Sequence, residues 1–409
     1  MSNFAFGTYR ISDQNPQHIE ALKEAIDSGI TLIDTSTNYL DGGAERAVAI
    51  ALRSFNDKIR ENIKIVSKFG YIQNITLQRH KESPFEDVVE YSDSCYHSIS
   101  KSFLQDQLTL SLERLEVQKL DCYLIHNPEY YLLDAIKRGI AEDERLDEMY
   151  RRIEDCFIAL EEEVLAGRID SYGISSNSFA KRKDDIEFLP YEDLIILAKN
   201  AANYLGLAQH HFTTIELPIN ILEQEGLKCA KWAHQNGLRV LSNRPLNAMK
   251  DGVMLRLATY EESREYYHYL NDLIEFCHTS KELEPLANLL EQLDENKHKF
   301  GWIGDYDSFL FTQILPHIEK TLKKLKEDEI ESMLNFIDLF LQEYRKMVAY
   351  ECSLTTQNIL DDLIGSTQHT LQEIALKFLL RQEDIDFILV GMRKPSYVAE
   401  VLAIANKTE

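Results

Sequence analysis

Eight short apolar runs recur along this chain of 409 residues, and helical stretches separate them. They read NFAFGTY, ITLIDTS, IKIVSKFG, LDCYLIH, IDSYGISS, FTTIELPIN, GLRVLSNR and DFILVGMR. Most are near-continuous in apolar residues rather than alternating, which is the pattern of strands covered on both faces. Amphipathic spacing predicts helices at 17–28, 43–55, 101–116, 144–166, 193–205, 223–236 and 370–382. Gly29, Gly167, Gly206 and Gly237 close four of them, as glycine does where a helix ends in left-handed backbone. Strand and helix alternating eight times predict an α/β fold, a closed (β/α)8 TIM barrel of parallel strands. A doubly wound sheet is disfavoured, because no G-x-G-x-x-G follows the first run.

A plain barrel needs roughly 250 residues, so about 160 are left over. Three stretches escape the alternation: 72–100, 127–146 and 250–350. Each follows the carboxyl end of a run, on the face where barrels carry their sites. The expected division is a barrel of 1–249 and 351–409, with a helical subdomain of 250–350 inserted at the mouth after the seventh strand. Leu322, Leu325, Ile330, Met333, Ile337 and Leu341 stand there at helical spacing. The simpler reading packs these helices on the rim, and the sharper one makes them a lid. Trp302 and Tyr306 are read as part of the subdomain's own core.

Charge narrows the partners. Lys and Arg number 44 against 68 Asp and Glu, a net charge of −24, and no basic stripe interleaved with aromatics is present. Such a surface repels phosphate backbones and anionic headgroups, so neither nucleic acid nor membrane is an expected partner. The six cysteines are dispersed without C-x-x-C spacing, which predicts reduced thiols and neither a disulfide framework nor a zinc site. MSNFAFGTYR enters a strand without an apolar leader, and no segment reaches 18 apolar residues, so a cytoplasmic protein is expected.

Four polar residues stand at or just past the ends of three successive runs: Asp34, Tyr39, Lys68 and His126. In a barrel those ends converge on one mouth. A phenol with an ordinary pKa near 10 donates poorly at neutral pH, and an ammonium beside it would lower that value. Lys68 would supply the ammonium, Asp34 would keep it charged and oriented, and His126 would donate to a substrate oxygen. Singly each has a plainer reading: a turn for DTS, a snorkelling lysine, a satisfied core histidine. Together, at three successive strand ends, they point to proton transfer without a metal.

Outside the extra stretches the chain resembles the aldo-keto reductase family. The likeness rests on IDTSTNYLDGGAE with Asp34 and Tyr39, VSKFG with Lys68, LDCYLIHNPE with His126, YGISSN, and ILVGMRKPSYVAEVL. It implies an oxidoreductase that binds NADPH, or secondarily NADH, across the barrel mouth and passes hydride to an aldehyde or ketone while Tyr39 protonates the oxygen. Asp34 and Lys68 would tune the tyrosine, and His126 would orient the carbonyl. It also implies cofactor contacts from Gly7, Thr8, Ser175, Ser176, Asn177, Glu216, Asn243, Pro245, Leu246, Gly391, Arg393 and Glu400. Ser175, Ser176 and Asn177 fall where the nicotinamide amide is held, and Gly391, Arg393 and Glu400 fall at the adenosine end. The Arg393 guanidinium suits a 2′-phosphate.

Two positions depart from the family pattern: Glu216 replaces a glutamine, and Asn243 replaces an aromatic residue that stacks under the nicotinamide. Glu216 accepts hydrogen bonds without donating them, and Asn243 offers less stacking area. The alternative reading is a catalytically weak, cofactor-sensing or scaffold barrel whose insertion binds a protein partner. A metal-dependent hydrolase is disfavoured, since His210 and His211 precede the sixth run, away from the mouth.

Overall fold

The computed structural model describes residues 3–250, 252–323 and 327–406. Among them eight strands close into a barrel: β1 (Phe4–Gly7), β2 (Leu32–Asp34), β3 (Lys64–Phe69), β4 (Cys122–His126), β5 (Tyr172–Ser175), β6 (Phe212–Pro218), β7 (Arg239–Asn243) and β8 (Phe387–Val390). Neighbours in space are neighbours in sequence, every pairing is parallel, and β8 closes on β1. All eight apolar runs lie in this barrel. Each strand is followed in sequence by a helix: Pro16–Asp27, Gly43–Leu52, Lys101–Leu115, Glu142–Leu165, Leu194–Tyr204, Gly226–Gln235, Leu371–Leu380 and Pro395–Asn406.

Local chemistry sets the helix ends. Asn15 caps the first by accepting from Gln17 N at 3.0 Å, and Pro16 follows at the first helical position, where its missing N–H costs nothing. The helix expected from 223 begins only at Gly226. Asn220 Oδ1 accepts from Leu222 N and Glu223 N, and that turn holds the intervening residues out of the helix. Gly29, Gly167, Gly206 and Gly237 each follow a helix with positive φ.

The barrel interior is filled by Ala5, Leu32, Val66, Cys122, Leu124, Leu241 and Leu389. Side chains alternate along a strand, so the residue two positions later faces inward again, one step nearer the carboxyl end. Applied to these strands, that step leads from Ala5 to Gly7, Leu32 to Asp34, Val66 to Lys68, Leu124 to His126, Leu241 to Asn243 and Leu389 to Gly391. An apolar layer therefore gives way to a polar one within a single strand residue pair. Gly173 on β5 fits because it lacks a side chain: a Cβ there would lie 2.0 Å from the Thr214 carbonyl oxygen on β6.

The stretches without readable pattern are structured. After β3, Tyr71–Ile72, Val89–Ser92 and Cys95–His97 form a small antiparallel sheet around the helix Asn74–Glu82. After β4 comes the helix Tyr130–Lys137.

Residues 246–376 form a second compact unit, distinct from the barrel unit of 1–245 and 377–409. The bounds differ from the expected 250 and 350. The hairpin of Asn247–Lys250 with Val253–Arg256 lies inside this unit, and so does the whole of the long helix Glu327–Ile364, which runs past residue 350. Its core gathers Tyr266, Leu270, Leu286, Tyr306, Phe340 and Tyr344, so Tyr306 is indeed interior to its own unit. Two buried tyrosines there find acceptors: Tyr344 OH donates to Leu293 O and Tyr266 OH to Asp294 Oδ1, both at 2.8 Å. Met333, Ile337 and Leu341 join this core from the long helix, Leu322 joins it from the separate helix Leu315–Leu322, and Leu325 lies outside the described residues. No helix among the described residues is long and apolar enough to cross a membrane. All six cysteines are buried free thiols.

Candidate active site

Strand parity delivers Asp34, Lys68, His126 and Glu216 to one mouth, and their contacts show how tightly they meet. Lys68 is fully buried and donates to Asp34 Oδ1 and, at 3.1 Å, to the Thr35 carbonyl oxygen. An ammonium has three protons. The third is left between Glu216, whose Oε2 stands 3.3 Å away as an ion pair off the hydrogen-bond direction, and the Tyr39 hydroxyl. Lys68 Nζ is 5.3 Å from the Tyr39 ring centroid. Asn243 Nδ2 donates to Glu216 Oε1 at 2.9 Å and fixes that carboxylate from β7.

Burial and charge compete throughout this cluster. Burial works to neutralise Lys68, but Asp34 and then Glu216 outweigh it, so its pKa is raised and the ammonium persists. Asp34 is pushed well above the usual carboxylate range, first by burial and next by Glu216, against the pull of Lys68. Tyr39 corrects the sequence expectation. Lys68 does act to lower its pKa, yet burial of the hydroxyl exceeds that effect, and the net direction is upward. The phenol is thus held in its protonated form, and the Lys68 charge is the neighbour that opposes this.

His126 packs edge-on against Tyr39 and Tyr71, with ring centroids 6.0 and 4.8 Å apart. Burial, reinforced by Lys68 and His97, holds its pKa well below the ordinary imidazole value, so it is neutral at physiological pH. Its Nδ1 lies 3.2 Å from Ser36 Oγ. The tautomer that donates from Nε2 requires Ser36 to give its proton to Nδ1 rather than to Asn38 Oδ1, 2.7 Å away. Behind it, His97 Nε2 donates to the His126 carbonyl at 2.7 Å, and burial lowers the His97 pKa to about 4.

Sequence reasoning missed Ser36, Tyr71, His97, Asn127 and Glu129. Ser36 sits inside the recognised DTSTNY run, and the alternation in CYH carries a faint strand signal for His97. Asn127 Nδ2 donates to Tyr71 OH at 2.5 Å while its Oδ1 accepts from Asn177 N at 3.3 Å. Glu129 is buried beneath the turn after β5 and accepts from Ser176 Oγ at 2.8 Å, Asn177 N at 2.9 Å and Ser178 N at 3.3 Å. Ser176 and Asn177, assigned to the nicotinamide amide by resemblance, are thus braced from behind by an acidic side chain no motif marked.

Burial raises Glu129 from 4.5 to about 7, with its hydrogen bonds opposing the rise. A folded-state pKa above the unfolded one means the native protein binds the proton more tightly. Its contribution is present below about 4.5 and is lost as pH rises through about 7. Glu129→Gln removes that dependence, so the stability of wild type relative to the variant should fall over this window in urea titrations. A difference constant with pH would contradict the assignment.

The remaining predicted contacts are spread more widely. Gly7 pairs in register with Asp34, and Thr8 N donates to Asp34 O at 3.0 Å. Ser175 pairs with Glu216, and Ser176 N donates to the Glu216 carbonyl at 3.0 Å. Gly391 directly follows β8. Arg393 stands exposed ahead of the last helix, Pro395–Asn406, which carries Glu400. The Arg393 charge adds to burial in lowering the pKa of His18. Pro245 ends the first barrel segment, while Leu246 opens the second unit and accepts from Leu257 N at 3.0 Å. His211 instead pairs through Nδ1 with buried Glu161 at 2.6 Å, and Tyr172 OH donates to the same carboxylate at 2.9 Å. No group of three or more metal-ligating side chains occurs among the described residues.

The fold brings a tyrosine, a lysine and a histidine together at the mouth of an eight-stranded parallel barrel. The aldo/keto reductase family model matches residues 3–292, and the chain belongs to this family. Over 173 residues it is 26% identical to methylglyoxal reductase YeaE of Escherichia coli (strain K12). That match covers 42% of this chain and 44% of the relative, less than half the relative's length. Among solved structures it is similar to an aldo/keto reductase from Klebsiella pneumoniae in complex with NADP and acetate, at 22% identity and a TM-score of 0.40, covering 60% of this chain and 65% of the other. It is also similar to aldo-keto reductase AKR11C1 from Bacillus halodurans, holo form, at 16% identity and a TM-score of 0.48, covering 99% and 86%. Glycerol dehydrogenase AKR11B4 from Gluconobacter oxydans aligns at 17% identity and a TM-score of 0.48, over 100% and 91%.

Proposed function

We propose that this protein is an NADPH-dependent oxidoreductase that interconverts an aldehyde or ketone with its alcohol. The observation that carries the reading is Lys68, fully buried, charged, and shared between Asp34 and the side of Tyr39. Bound NADPH would supply the hydride to the carbonyl carbon. Tyr39 donates its phenolic proton to the oxygen that becomes negative, and Lys68 stabilises the resulting phenolate. Neutral His126, in its Nε2–H tautomer, donates to the same oxygen and sets its direction.

The residues present fit the cofactor. Thr8 Oγ1 and Asn243 Oδ1, at the ends of β1 and β7, are buried polar atoms without a protein partner, which is costly unless a ligand meets them. Ser175, Asn177, Glu216 and Asn243 would hold the nicotinamide side, with Gly7 and Thr8 beside them. Gly391, Arg393 and Glu400 would hold the adenosine side. A small 2-oxoaldehyde such as methylglyoxal, the substrate in the name of the Escherichia coli relative, belongs first on a substrate panel.

The test is oxidation of NADPH and of NADH by the purified protein across small aldehydes and ketones. Turnover with NADPH exceeding that with NADH is expected, and Arg393→Ala should shrink the preference about tenfold through loss of the phosphate pair. NADPH binding without consumption of any carbonyl would instead favour a cofactor-binding barrel without catalysis.

A further inference from the structure

Lys68 carries one positive charge, and two buried carboxyl groups face it. Asp34 and Glu216 are 3% and 2% exposed, and Lys68 is 0% exposed. With both acids ionised the enclosed group would hold a net negative charge, which a low-dielectric interior resists. Their placement adds a second constraint: both carboxyls stand against the one Lys68 ammonium. Two ionised carboxylates beside a single ammonium repel each other, and one proton held by the pair removes that repulsion. Asn243 holds Glu216 in this position at 2.9 Å, and Lys68 stands 3.3 Å from the other oxygen.

We propose that Asp34 and Glu216 share a single proton across Lys68, so that the resting site is electrically neutral and Glu216 is a positioning residue that acts on Tyr39 through Lys68. The charged and titratable groups facing the pair are Lys68 from β3, Tyr39 from the loop after β2 and His126 from β4. The ends of β1, β5 and β7 contribute Thr8, Ser175 and Asn243, none of which titrates.

On the functional reading above, the shared proton is also a reserve. When Tyr39 has given its proton to the substrate oxygen, Lys68 passes an N–H proton to the phenolate and the carboxyl pair passes its own to Lys68. Phenol and ammonium are restored, two carboxylates remain, and the one proton now on the product is replaced from water after release.

The resting charge is testable without cofactor or substrate, so a wrong catalytic reading would leave this result standing, and the reverse also holds. Native capillary electrophoresis at neutral pH would compare wild type with Glu216→Gln, Asp34→Asn and the exposed control Glu61→Gln. The control should move by one full charge. Both site variants should co-migrate with wild type, because removing either acid leaves one carboxylate against one ammonium and releases the shared proton. In denaturant all three variants should move by one charge. A one-charge displacement of either native site variant overturns the proposal, since it means that both acids are ionised or that one keeps its proton alone. Should a site variant fail to fold, the Glu129→Gln protein carries the test by infrared spectroscopy. A protonated-carboxyl stretch at neutral pH supports the shared proton, and its absence overturns it.

Discussion

Tyr39→Phe is expected to lower kcat for carbonyl reduction by roughly 10²–10⁴-fold, the range that a positioned general acid supplies. That corresponds to roughly 3–5 kcal/mol of transition-state stabilisation. The substitution removes one oxygen from a ring already packed edge-on against Tyr9 and His126 at 5.2 and 6.0 Å, so the ring and its neighbours keep their places. NADPH affinity, measured by fluorescence quenching, should therefore stay within about twofold, because only an interaction strengthened in the transition state is lost. The wild-type pH profile carries a second signature. Burial of Tyr39 raises its pKa, so the phenol should remain protonated through neutral and mildly alkaline pH, and the alkaline fall in rate should come above the ordinary tyrosine value of about 10. Full turnover in Tyr39→Phe would remove Tyr39 from the chemistry and leave His126 as the remaining donor at the mouth.

The sequence made the barrel legible because near-continuous apolar runs alternate with amphipathic helical spacing along most of the chain. Leu32, Val66, Leu124, Leu241 and Leu389 announce the interior, and the parity that places them also places Asp34, Lys68, His126, Asn243 and Gly391 one step above. The convergence of the candidate residues was readable for the same reason: residues remote in sequence share one register. What parity does not encode is how side chains outside the strands turn toward the site. Tyr71 and His97 arrive on a small antiparallel sheet, whose short strands leave little periodic signal, and Glu129 arrives just after Asn127, which adopts φ +51°. Tyr39 illustrates the limit of charge reasoning from sequence. The sign of the Lys68 effect follows from its identity, but the larger effect of burial depends on how the mouth closes around the hydroxyl.

Glu216 shows how one departure from a family pattern can alter a neighbour's meaning. On sequence alone it is a weaker partner for an amide, and Asn243 is a smaller stacking surface. In the barrel the two are bonded to each other at 2.9 Å, and the carboxylate reaches Lys68. The departures are therefore coupled: an aromatic ring at 243 would replace the amide that donates to Glu216, and Glu216 without Asn243 would have one fewer donor to offset its burial. Lys68 consequently answers to two acids rather than one.

Lys68→Met should show the energetic weight of that arrangement. Methionine fills a similar volume, so the loss is chiefly the ammonium that faces Asp34 and Glu216. Removing one partner from a buried ion pair typically costs about 3–5 kcal/mol, because the opposite charge stays buried without compensation. The cost here should depend on pH with a definite sign. Lys68 is the neighbour that pulls the Asp34 pKa down against burial and Glu216, so without it that pKa rises further above its unfolded value. An acid whose folded pKa is raised gives its full stability below the unfolded value, near 4, and loses it as pH climbs through the folded value. The variant should thus approach wild-type stability in acid, where both carboxyls are neutral, and fall away steeply toward neutral pH. Urea unfolding at a series of pH values measures the difference directly. A deficit independent of pH would mean that Lys68 contributes packing alone and that the two acids do not depend on its charge.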